Sequence, residues 1–478
     1  MSWVTILAIA EIVWVSGTCI WILLERRSPQ ATLAWIFALA WMPYVGIAVY
    51  LLIGPRRLSR KRRRHAMARS RVKETSQPPH ASEDVLSLLS SLDPGLRQVM
   101  ALVQRAGEGP PLRADRLDLL PSGDRCFDAM SEAIAEARHH VHLEYYIWYD
   151  DEVGTRFRDL LCVKAREGVQ VRLLLDAFGS ASVGRGFFGP LCEAGAQVAW
   201  FNPISLPKFR PGLLNFRTHR KILVCDGRVG FAGGINVCDD YSAQVSGRRA
   251  WRDTHLRIEG PPVGWLQRLF LEDWAFATGS APGHPPHFPQ EPSRDGGPWV
   301  QIIGSGPDDD LYAIHKFYFA AIAGARRRVW LSMAYFVPDE PIVAALVTAA
   351  MRGVDVRILL PRRSDHWLLD AAARSYFEDL IRAGVKVFLY GPAVLHTKTL
   401  VIDDDIAVVG TANMDNRSFR LNFEVIAAIY DPATTSDLAG QFEADQHHAR
   451  QCHSRQGRRR PLPQALKESA ARLLTPLL

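Results

Sequence analysis

The chain has 478 residues, of which 48% are hydrophobic and 22% charged, with a net charge of +7 and a pI of about 9.1. This length and composition allow two or three domains with a large core, and they exclude a fibrous or fully disordered protein. The basic balance favours an anionic partner, either membrane phospholipid or nucleic acid. The seven cysteines are widely spaced and form no CxxC pair, which predicts reduced thiols in a cytosol-facing protein.

The chain opens with two apolar stretches, Trp3–Leu24 and Thr32–Ile53. Each is long enough to cross a hydrocarbon core, which requires about 20 apolar residues. Together they predict a transmembrane hairpin over residues 1–55. A basic cluster follows at once and consists of Arg56, Arg57, Arg60, Lys61, Arg62, Arg63 and Arg64. The positive-inside bias places this side in the cytoplasm, and the same cluster can hold anionic headgroups.

Residues 56–116 are predicted to be a basic and polar linker to the rest of the chain. Beyond Leu117 the pattern changes to strands that alternate with helices. Val141–Trp148 and Val169–Leu175 are typical of buried strands, and Phe127–Arg138 and Gly154–Arg166 are typical of helices. This alternation predicts an α/β fold.

The same series of segments occurs twice. Ala137–Leu143 is similar to Ala325–Leu331, and Arg166–Arg172 is similar to Met351–Arg357. A stretch rich in proline and glycine, Gly279–Pro298, separates the two occurrences. We therefore predict two copies of one α/β unit, residues 117–285 and 286–478, of which the second ends in a basic tail.

Each copy carries one polar pattern, HxK(x)4D(x)6G-(G/T)-x-N. The first consists of His219, Lys221, Asp226, Gly233, Gly234 and Asn236, and the second of His396, Lys398, Asp403, Gly410, Thr411 and Asn413. Residues i and i+2 of a strand project to one face, so each histidine is expected beside its lysine. Six fixed positions that occur twice within a repeat indicate a functional site.

This set of side chains suits chemistry on a phosphodiester. Two lysines and the amides of Asn236 and Asn413 can bind a phosphate whose negative charge spreads over its oxygens in the transition state. One histidine can attack phosphorus while the other protonates the leaving oxygen. Because the lysines supply the positive charge that a metal would otherwise bring, we expect neither a metal nor a cofactor.

The paired motif resembles the HKD signature of the phospholipase D superfamily, and the flanking segments resemble bacterial cardiolipin synthases. These segments are Leu143–Ile147, Trp251–His255, Tyr335–Asp339, Gly410–Phe419 and Leu421–Val425. The resemblance covers nearly the whole chain, including the N-terminal hairpin. It implies two tandem phospholipase D-like αβα units, each with a central mixed sheet, preceded by two transmembrane helices.

The activity that the resemblance implies is transfer of a phosphatidyl group from one phosphatidylglycerol to another, giving cardiolipin and glycerol. By analogy with two-motif relatives, His219 would form a phosphatidyl-histidine and His396 would protonate the departing glycerol. The implied location is the bacterial inner membrane, with several membrane passes and the catalytic units facing the cytoplasm. The implied partners are phosphatidylglycerol and anionic membrane lipid, without nucleic acid.

In this family an acidic residue on a later strand orients each histidine. The resemblance implies Asp253 for His219 and Glu424 for His396, and such a partner fixes the tautomer of the ring. Asp226 and Asp403 complete the catalytic signature. They lie five residues beyond the lysines, on the opposite face of the strand, so we expect structural support rather than contact with phosphorus.

Two other activities are compatible with the motif. A phospholipase D-type hydrolase or a headgroup transphosphatidylase would share the chemistry up to the covalent intermediate. A phosphodiesterase that acts on nucleic acid would suit the basic charge, but two apolar spans and the lack of a nucleic-acid module in the sequence disfavour it.

Overall fold

The computed structural model describes residues 2–24, 29–47, 56–75, 94–203, 215–280, 288, 297–309, 311–454 and 462–473. Two compact units divide the chain. One comprises Met1–Arg63 and Ile204–Asn215, and the other comprises Arg64–Pro203 and Phe216–Leu478. Both copies of the repeat therefore belong to the second unit.

The first unit contains helices α1, Trp3–Leu24, and α2, Pro29–Trp41. Ile22 and Leu39 are buried between them. Helix α1 has the bounds of the first predicted span, whereas residues 48–53 of the second span and residues 25–28 of the turn lie outside the described residues. Within the described ranges, no helix combines the length and the hydropathy that crossing a membrane requires.

The stretch predicted as a linker contains regular structure. It includes α3, Arg56–Thr75, α4, Pro94–Arg105, and β1, Leu112–Arg113. His65, Ala68 and Val72 of α3 are all buried. Their spacing of three and four residues places them on one helical face, so the second half of this very basic helix packs on the body of the protein.

The first copy of the repeat forms a seven-stranded mixed sheet. The strand order is β2-β9-β8-β7-β3-β4-β5, with β3, β4 and β5 parallel to one another. Its elements are β2 Arg116–Leu120, α5 Gly123–Glu136, β3 His140–Tyr145, α6 Glu152–Arg166, β4 Gln170–Asp176, α7 Gly189–Glu193, β5 Gln197–Phe201, β6 Arg217–Thr218, β7 Ile222–Cys225, β8 Val229–Gly233, α8 Ala243–Ser246, β9 His255–Glu259 and α9 Val263–Thr278.

The second copy repeats this arrangement in a ten-stranded sheet. The main order is β1-β10-β18-β16-β15-β11-β13-β14-β19, with β6 added beside β18. Its elements are β10 Trp299–Ser305, α10 Ala313–Gly324, β11 Arg328–Met333, β12 Phe336–Val337, α11 Glu340–Met351, β13 Asp355–Pro361, α12 Trp367–Arg382, β14 Lys386–Tyr390, β15 Lys398–Ile402, β16 Ile406–Gly410, β17 Met414–Asp415, α13 Asn416–Arg420, β18 Asn422–Tyr430, α14 Pro432–His447, β19 Ala449–Gln451 and α15 Leu462–Leu473.

The two sheets have the same internal order: β9-β8-β7-β3-β4-β5 in the first corresponds to β18-β16-β15-β11-β13-β14 in the second. One apolar core joins them, with Ile222 and Val224 of β7 in the same cluster as Val401 of β15 and Val409 of β16. The α/β fold with mixed sheets is therefore as predicted. The shared core holds the two motif strands in one body.

Candidate active site

The two motifs lie where their strands begin. His219 and Lys221 directly precede β7, and Lys398 is the first residue of β15. Both histidines therefore lie just before their strands and not within them, as alternation along a strand had suggested. All four histidine and lysine side chains are nevertheless buried: His219 is 8% exposed, His396 5%, Lys398 1% and Lys221 0%.

The segment before each histidine crosses to the other copy of the repeat. Strand β6 pairs in parallel with β18, so Arg217 lies opposite Asn422 and Thr218 opposite Phe423. In the same way Arg252, just before β9, forms a parallel bridge with Leu395. The two crossings bring the motif of each copy against a strand of the other.

These crossings correct the predicted histidine partners. His219 Nδ1 lies 3.0 Å from Oε2 of Glu424, and His396 Nδ1 lies 2.7 Å from Oδ2 of Asp253. The sequence-based assignment, Asp253 for His219 and Glu424 for His396, was wrong in its pairing. The physical reason is strand register: each histidine lies opposite the carboxylate of the strand along which its own segment runs.

The hydrogen bond to a carboxylate determines which nitrogen of each ring is free to act as a base or nucleophile. A neutral imidazole that donates Nδ1–H to Glu424 or Asp253 keeps its lone pair on Nε2. Burial lowers the pKa of His219, against the opposing charge of Glu424. Burial and the charge of Lys398 together lower the pKa of His396 to about 4. Both rings are therefore neutral bases near pH 7.

The two lysines belong to one electrostatic site. Lys221 Nζ donates to the carbonyl oxygen of His219 over 2.7 Å, and Lys398 Nζ donates to the carbonyl oxygen of His396. Burial and the positive charge of Lys398 together lower the pKa of Lys221 to about 7. Burial also lowers the pKa of Lys398 to about 8, while Asp253 and Glu424 oppose that shift. Two poorly solvated cations side by side form a site for an anion.

The two motif asparagines differ in their contacts. The Asn236 amide donates to the Tyr241 hydroxyl over 3.0 Å and accepts from the backbone N–H of Ile147 over 3.2 Å. This amide is therefore engaged in the framework. Asn413 is 4% exposed, and its Oδ1 has no hydrogen-bond partner among the described residues. Phosphate binding by these two amides stays a prediction; it requires their Nδ2–H donors, and that of Asn236 already donates to Tyr241.

The motif aspartates bind backbone amides. Asp226 accepts hydrogen bonds from the N–H groups of Arg138, His139 and His140, at 2.8 to 2.9 Å. Asp403 binds the backbone of residues 326–328 in the same manner. Each carboxylate thus caps the start of a central strand, which is the structural support expected for both.

Replacing Asp226 with asparagine should lower the free energy of unfolding by about 1–2 kcal/mol, because three backbone N–H groups lose a charged acceptor. Asparagine tolerates the left-handed backbone of this position, φ 55°. Chemical denaturation measures the change, with the exposed Asp128→Asn as the matched control. Any loss of activity should follow the unfolded fraction. An unchanged unfolding free energy would contradict the capping role.

Several residues of the site were not assigned from the sequence. The Tyr241 hydroxyl lies 3.0 Å from His396 Nδ1, and the ring of Trp251 lies 5.2 Å from that of His396. The ring of Tyr146 packs edge-on against His219 at 4.9 Å. Thr411 was predicted as a motif residue but without a role, and its hydroxyl donates to Glu424 Oε2 over 2.5 Å. The sequence feature that could have identified the three aromatic residues is their position in segments that flank the motifs.

The difference between the two motifs at Gly234 and Thr411 has a steric cause. A Cβ atom at Gly234 would lie 2.1 Å from Oδ1 of Asp253, so this position must be glycine for the carboxylate to approach. Thr411 instead uses its side chain to bind Glu424. Both positions therefore serve the carboxylate of their own copy, which in turn serves the histidine of the other copy.

Comparisons with known proteins show which family the chain resembles. Residues 130–274 and 318–446 match the family described as "Cardiolipin synthase, PLD-like domain", and residues 5–55 match the one described as "Phospholipase D-nuclease N-terminal". A cardiolipin synthase of Geobacillus thermodenitrificans is 40% identical over 461 residues, 95% of this chain and 90% of the relative. Cardiolipin synthase 1 of Bacillus anthracis is 37% identical over 490 residues, 100% of this chain and 95% of the relative.

Among solved structures, the phosphatidylserine synthase of Haemophilus influenzae is similar in fold. It aligns with a TM-score of 0.58 and 17% sequence identity, over 80% of this chain and 100% of that one. At this level of identity the likeness concerns the fold alone.

Proposed function

Because this chain belongs to the cardiolipin synthase family, whose members are phosphatidyltransferases of the phospholipase D type, we propose that it joins two phosphatidylglycerol molecules into cardiolipin and free glycerol. The observation that carries this proposal is the crossed pairing of His219 with Glu424 and of His396 with Asp253. It gives one buried site two oriented imidazoles beside two lysines, which is what a double displacement at a phosphodiester needs.

In the first step Nε2 of His219 attacks phosphorus, and the bond from phosphorus to the glycerol oxygen breaks. His396 gives its Nε2 proton to that oxygen, so free glycerol leaves and a phosphatidyl-histidine remains. The low pKa of His396 applies to the empty site, and the negative charge of the bound phosphate favours its protonated form. The assignment of the two roles follows the family resemblance.

In the second step a hydroxyl of another phosphatidylglycerol attacks the intermediate. It gives its proton to His396, the phosphorus–nitrogen bond breaks, and His219 returns to its neutral form with cardiolipin released. One phosphodiester replaces another, so the reaction needs no nucleotide. Lys221 and Lys398 balance the charge that develops on the phosphoryl oxygens.

We also propose that residues 1–55 anchor the enzyme in the bacterial inner membrane as a two-helix hairpin, with the catalytic copies on the cytoplasmic side. Support comes from the apolar composition of α1 and from the family match over residues 5–55. The basic residues after the hairpin favour contact with anionic headgroups. Holding the site at the bilayer would raise the effective concentration of the lipid acceptor relative to water.

Purified protein, incubated with phosphatidylglycerol vesicles in the presence of a chelator and without nucleotide, tests the proposal. Mass spectrometry should detect cardiolipin and glycerol in equal amounts. Phosphatidic acid as the sole lipid product would indicate a hydrolase. No lipid turnover, together with cleavage of nucleic acid, would contradict the proposal entirely.

The lysine pKa values predict how substrate binding depends on pH. At pH 7 Lys221 is about half charged and Lys398 mostly charged, so raising the pH to about 9 removes little more than one positive charge from the pair. KM for phosphatidylglycerol should therefore rise about tenfold. The charge of the phosphodiester does not change in this range. Steady-state kinetics on vesicles of fixed composition measure the effect, and a constant KM would contradict it.

A further inference from the structure

A buried cluster of charged side chains lies behind the first motif. His65 of α3 is 1% exposed, and both of its ring nitrogens contact carboxylates. Its Nε2 lies 2.7 Å from Asp273 Oδ1 on α9, and its Nδ1 lies 2.8 Å from Asp308 Oδ2 in the loop after β10. Neither carboxylate is more than 4% exposed. The reaction proposed above uses none of these three residues.

The cluster reaches the catalytic centre through Arg220, the residue between His219 and Lys221. Arg220 donates from one terminal nitrogen to Asp273 Oδ2 over 2.7 Å. Its Nε donates to the backbone carbonyl of Glu424 over 3.2 Å. A continuous series of contacts therefore runs from His65 through Asp273 and Arg220 to the residue that orients His219.

A second route runs through aromatic packing. The ring of His65 lies 4.3 Å from the ring of Phe423, which directly precedes Glu424. The carbonyl oxygen of Phe423 accepts a hydrogen bond from the backbone N–H of His219 over 2.9 Å. Both routes end at the pair formed by His219 and Glu424.

The charges of this cluster balance only if His65 is protonated. Asp308 and Asp273 raise the pKa of His65 to about 9 against the effect of burial, so the ring is a cation at neutral pH. With Arg220 it neutralises the two aspartates. Burial, with the nearby charge of Asp273, raises the pKa of Glu144 well above its ordinary value and favours its neutral form.

The remaining charged groups around the cluster form a network of their own. Arg69, one turn after His65 on α3, lies 2.7 Å from Glu108 and 3.8 Å from Glu272 of α9. Arg268 binds the same Glu272 over 2.8 Å. Removing the charge of His65 would leave one buried carboxylate uncompensated beside Arg220, and an unpaired buried charge rearranges its surroundings.

We propose that His65 is a positioning residue for the reaction: by holding Asp273 and Asp308 it fixes Arg220, and thereby holds Glu424 in register with His219. Helix α3 then has a part in catalysis as well as in connecting the N-terminal segment to the body. The kinetic consequences of this role rest on the proposed function, whereas its geometric consequences can be tested without it.

The geometric test uses the His65→Gln variant and proton NMR of protein labelled with ¹⁵N in its histidine rings. The Nδ1–H signals of His219 and His396, assigned by their loss in alanine variants, report the two histidine–carboxylate hydrogen bonds. We expect the His219 signal to shift and the His396 signal to stay unchanged, because only the former pair contacts the cluster. Shifts of both signals, or of neither, would overturn the proposal.

The kinetic test compares His65→Gln with His65→Gln/Asp308→Asn, which removes the opposite charge as well. The single variant should lower kcat about tenfold and move the acid limb of kcat/KM to lower pH by about half a unit, since Glu424 supports the protonated form of His219 less well. The double variant should recover most of both changes. The exposed His447→Gln is the control and should behave as wild type.

The outcomes separate this proposal from the function on which it rests. If the wild-type protein forms no cardiolipin but the His219 signal shifts in His65→Gln, the proposed activity is refuted and the positioning role of His65 stands. A fall in kcat with an unmoved acid limb and unmoved NMR signals would show a purely structural role for His65. Such a result would overturn the proposal.

Discussion

Replacing His219 with alanine is expected to lower cardiolipin formation by about 10⁴-fold or more, because the nucleophile of the covalent mechanism is lost. Replacing His396 with alanine should cost about 10²–10⁴-fold, since this residue transfers protons to and from oxygen. Product analysis on phosphatidylglycerol vesicles measures both losses. Activity within tenfold of wild type in either variant would contradict a site composed of both copies.

An activated substrate separates the two roles. With a phosphatidyl ester of p-nitrophenol, the leaving group needs no proton, so His396→Ala should still release p-nitrophenol in a burst equal to one equivalent of enzyme. His219→Ala should show no burst. The reverse pattern would exchange the roles of the two histidines while leaving the composite site intact.

The crossed carboxylates make the second large prediction. Glu424→Gln should impair the same step as His219→Ala, with a smaller loss of about 10²–10⁴-fold, because the ring remains but loses the partner that fixes its tautomer. Asp253→Asn should reproduce the defect of His396→Ala for the same reason. Each variant is the control for the other, since both remove one buried charge from equivalent positions.

The activated ester again gives the decisive difference. Asp253→Asn should retain the p-nitrophenol burst, and Glu424→Gln should lose most of it. If each carboxylate served the histidine of its own copy, Glu424→Gln would retain the burst and Asp253→Asn would lose it. Thermal unfolding of both variants checks that the comparison concerns folded protein.

Much of this site could be predicted from the sequence because its motif is local. His219 and Lys221, and likewise His396 and Lys398, come within three residues of one another, and alternation along a strand is enough to bring each pair together. The α/β repeat was equally predictable, since similar segments in similar order form the same sheet twice. In the structure each lysine contacts the backbone of its own histidine, and the two sheets share one internal strand order.

The pairing of histidines with carboxylates could not be predicted in this way. It depends on strand β6, which lies beside β18 about two hundred residues further along the chain. Nothing in the spacing within the first copy indicates that β6, the segment before His219, pairs with a strand of the second copy. Position along the chain suggested that each histidine pairs with a carboxylate of its own copy. In the structure each histidine pairs with the carboxylate of the other copy.

The packing of α3 on the body of the protein could not be predicted because of the composition of this helix. The helix is so rich in arginine and lysine that its charge dominates the pattern, and the stretch was predicted to be a polar linker. The informative feature was the small set of uncharged or weakly charged positions, His65, Ala68 and Val72, at helical spacing. The burial of His65 depends on the acidic pocket formed by Asp273 and Asp308, which only the tertiary structure reveals.

The most direct test of the central claim is to trap the covalent intermediate and locate it. Wild-type enzyme and His396→Ala are mixed with the activated phosphatidyl ester, quenched in alkali to preserve a phosphoramidate, digested and mapped by mass spectrometry. We expect a phosphatidyl adduct on His219 in both proteins, and a much weaker one in Glu424→Gln treated identically. An adduct on His396 in the wild type, or an adduct on His219 that persists undiminished in Glu424→Gln, would contradict the crossed site.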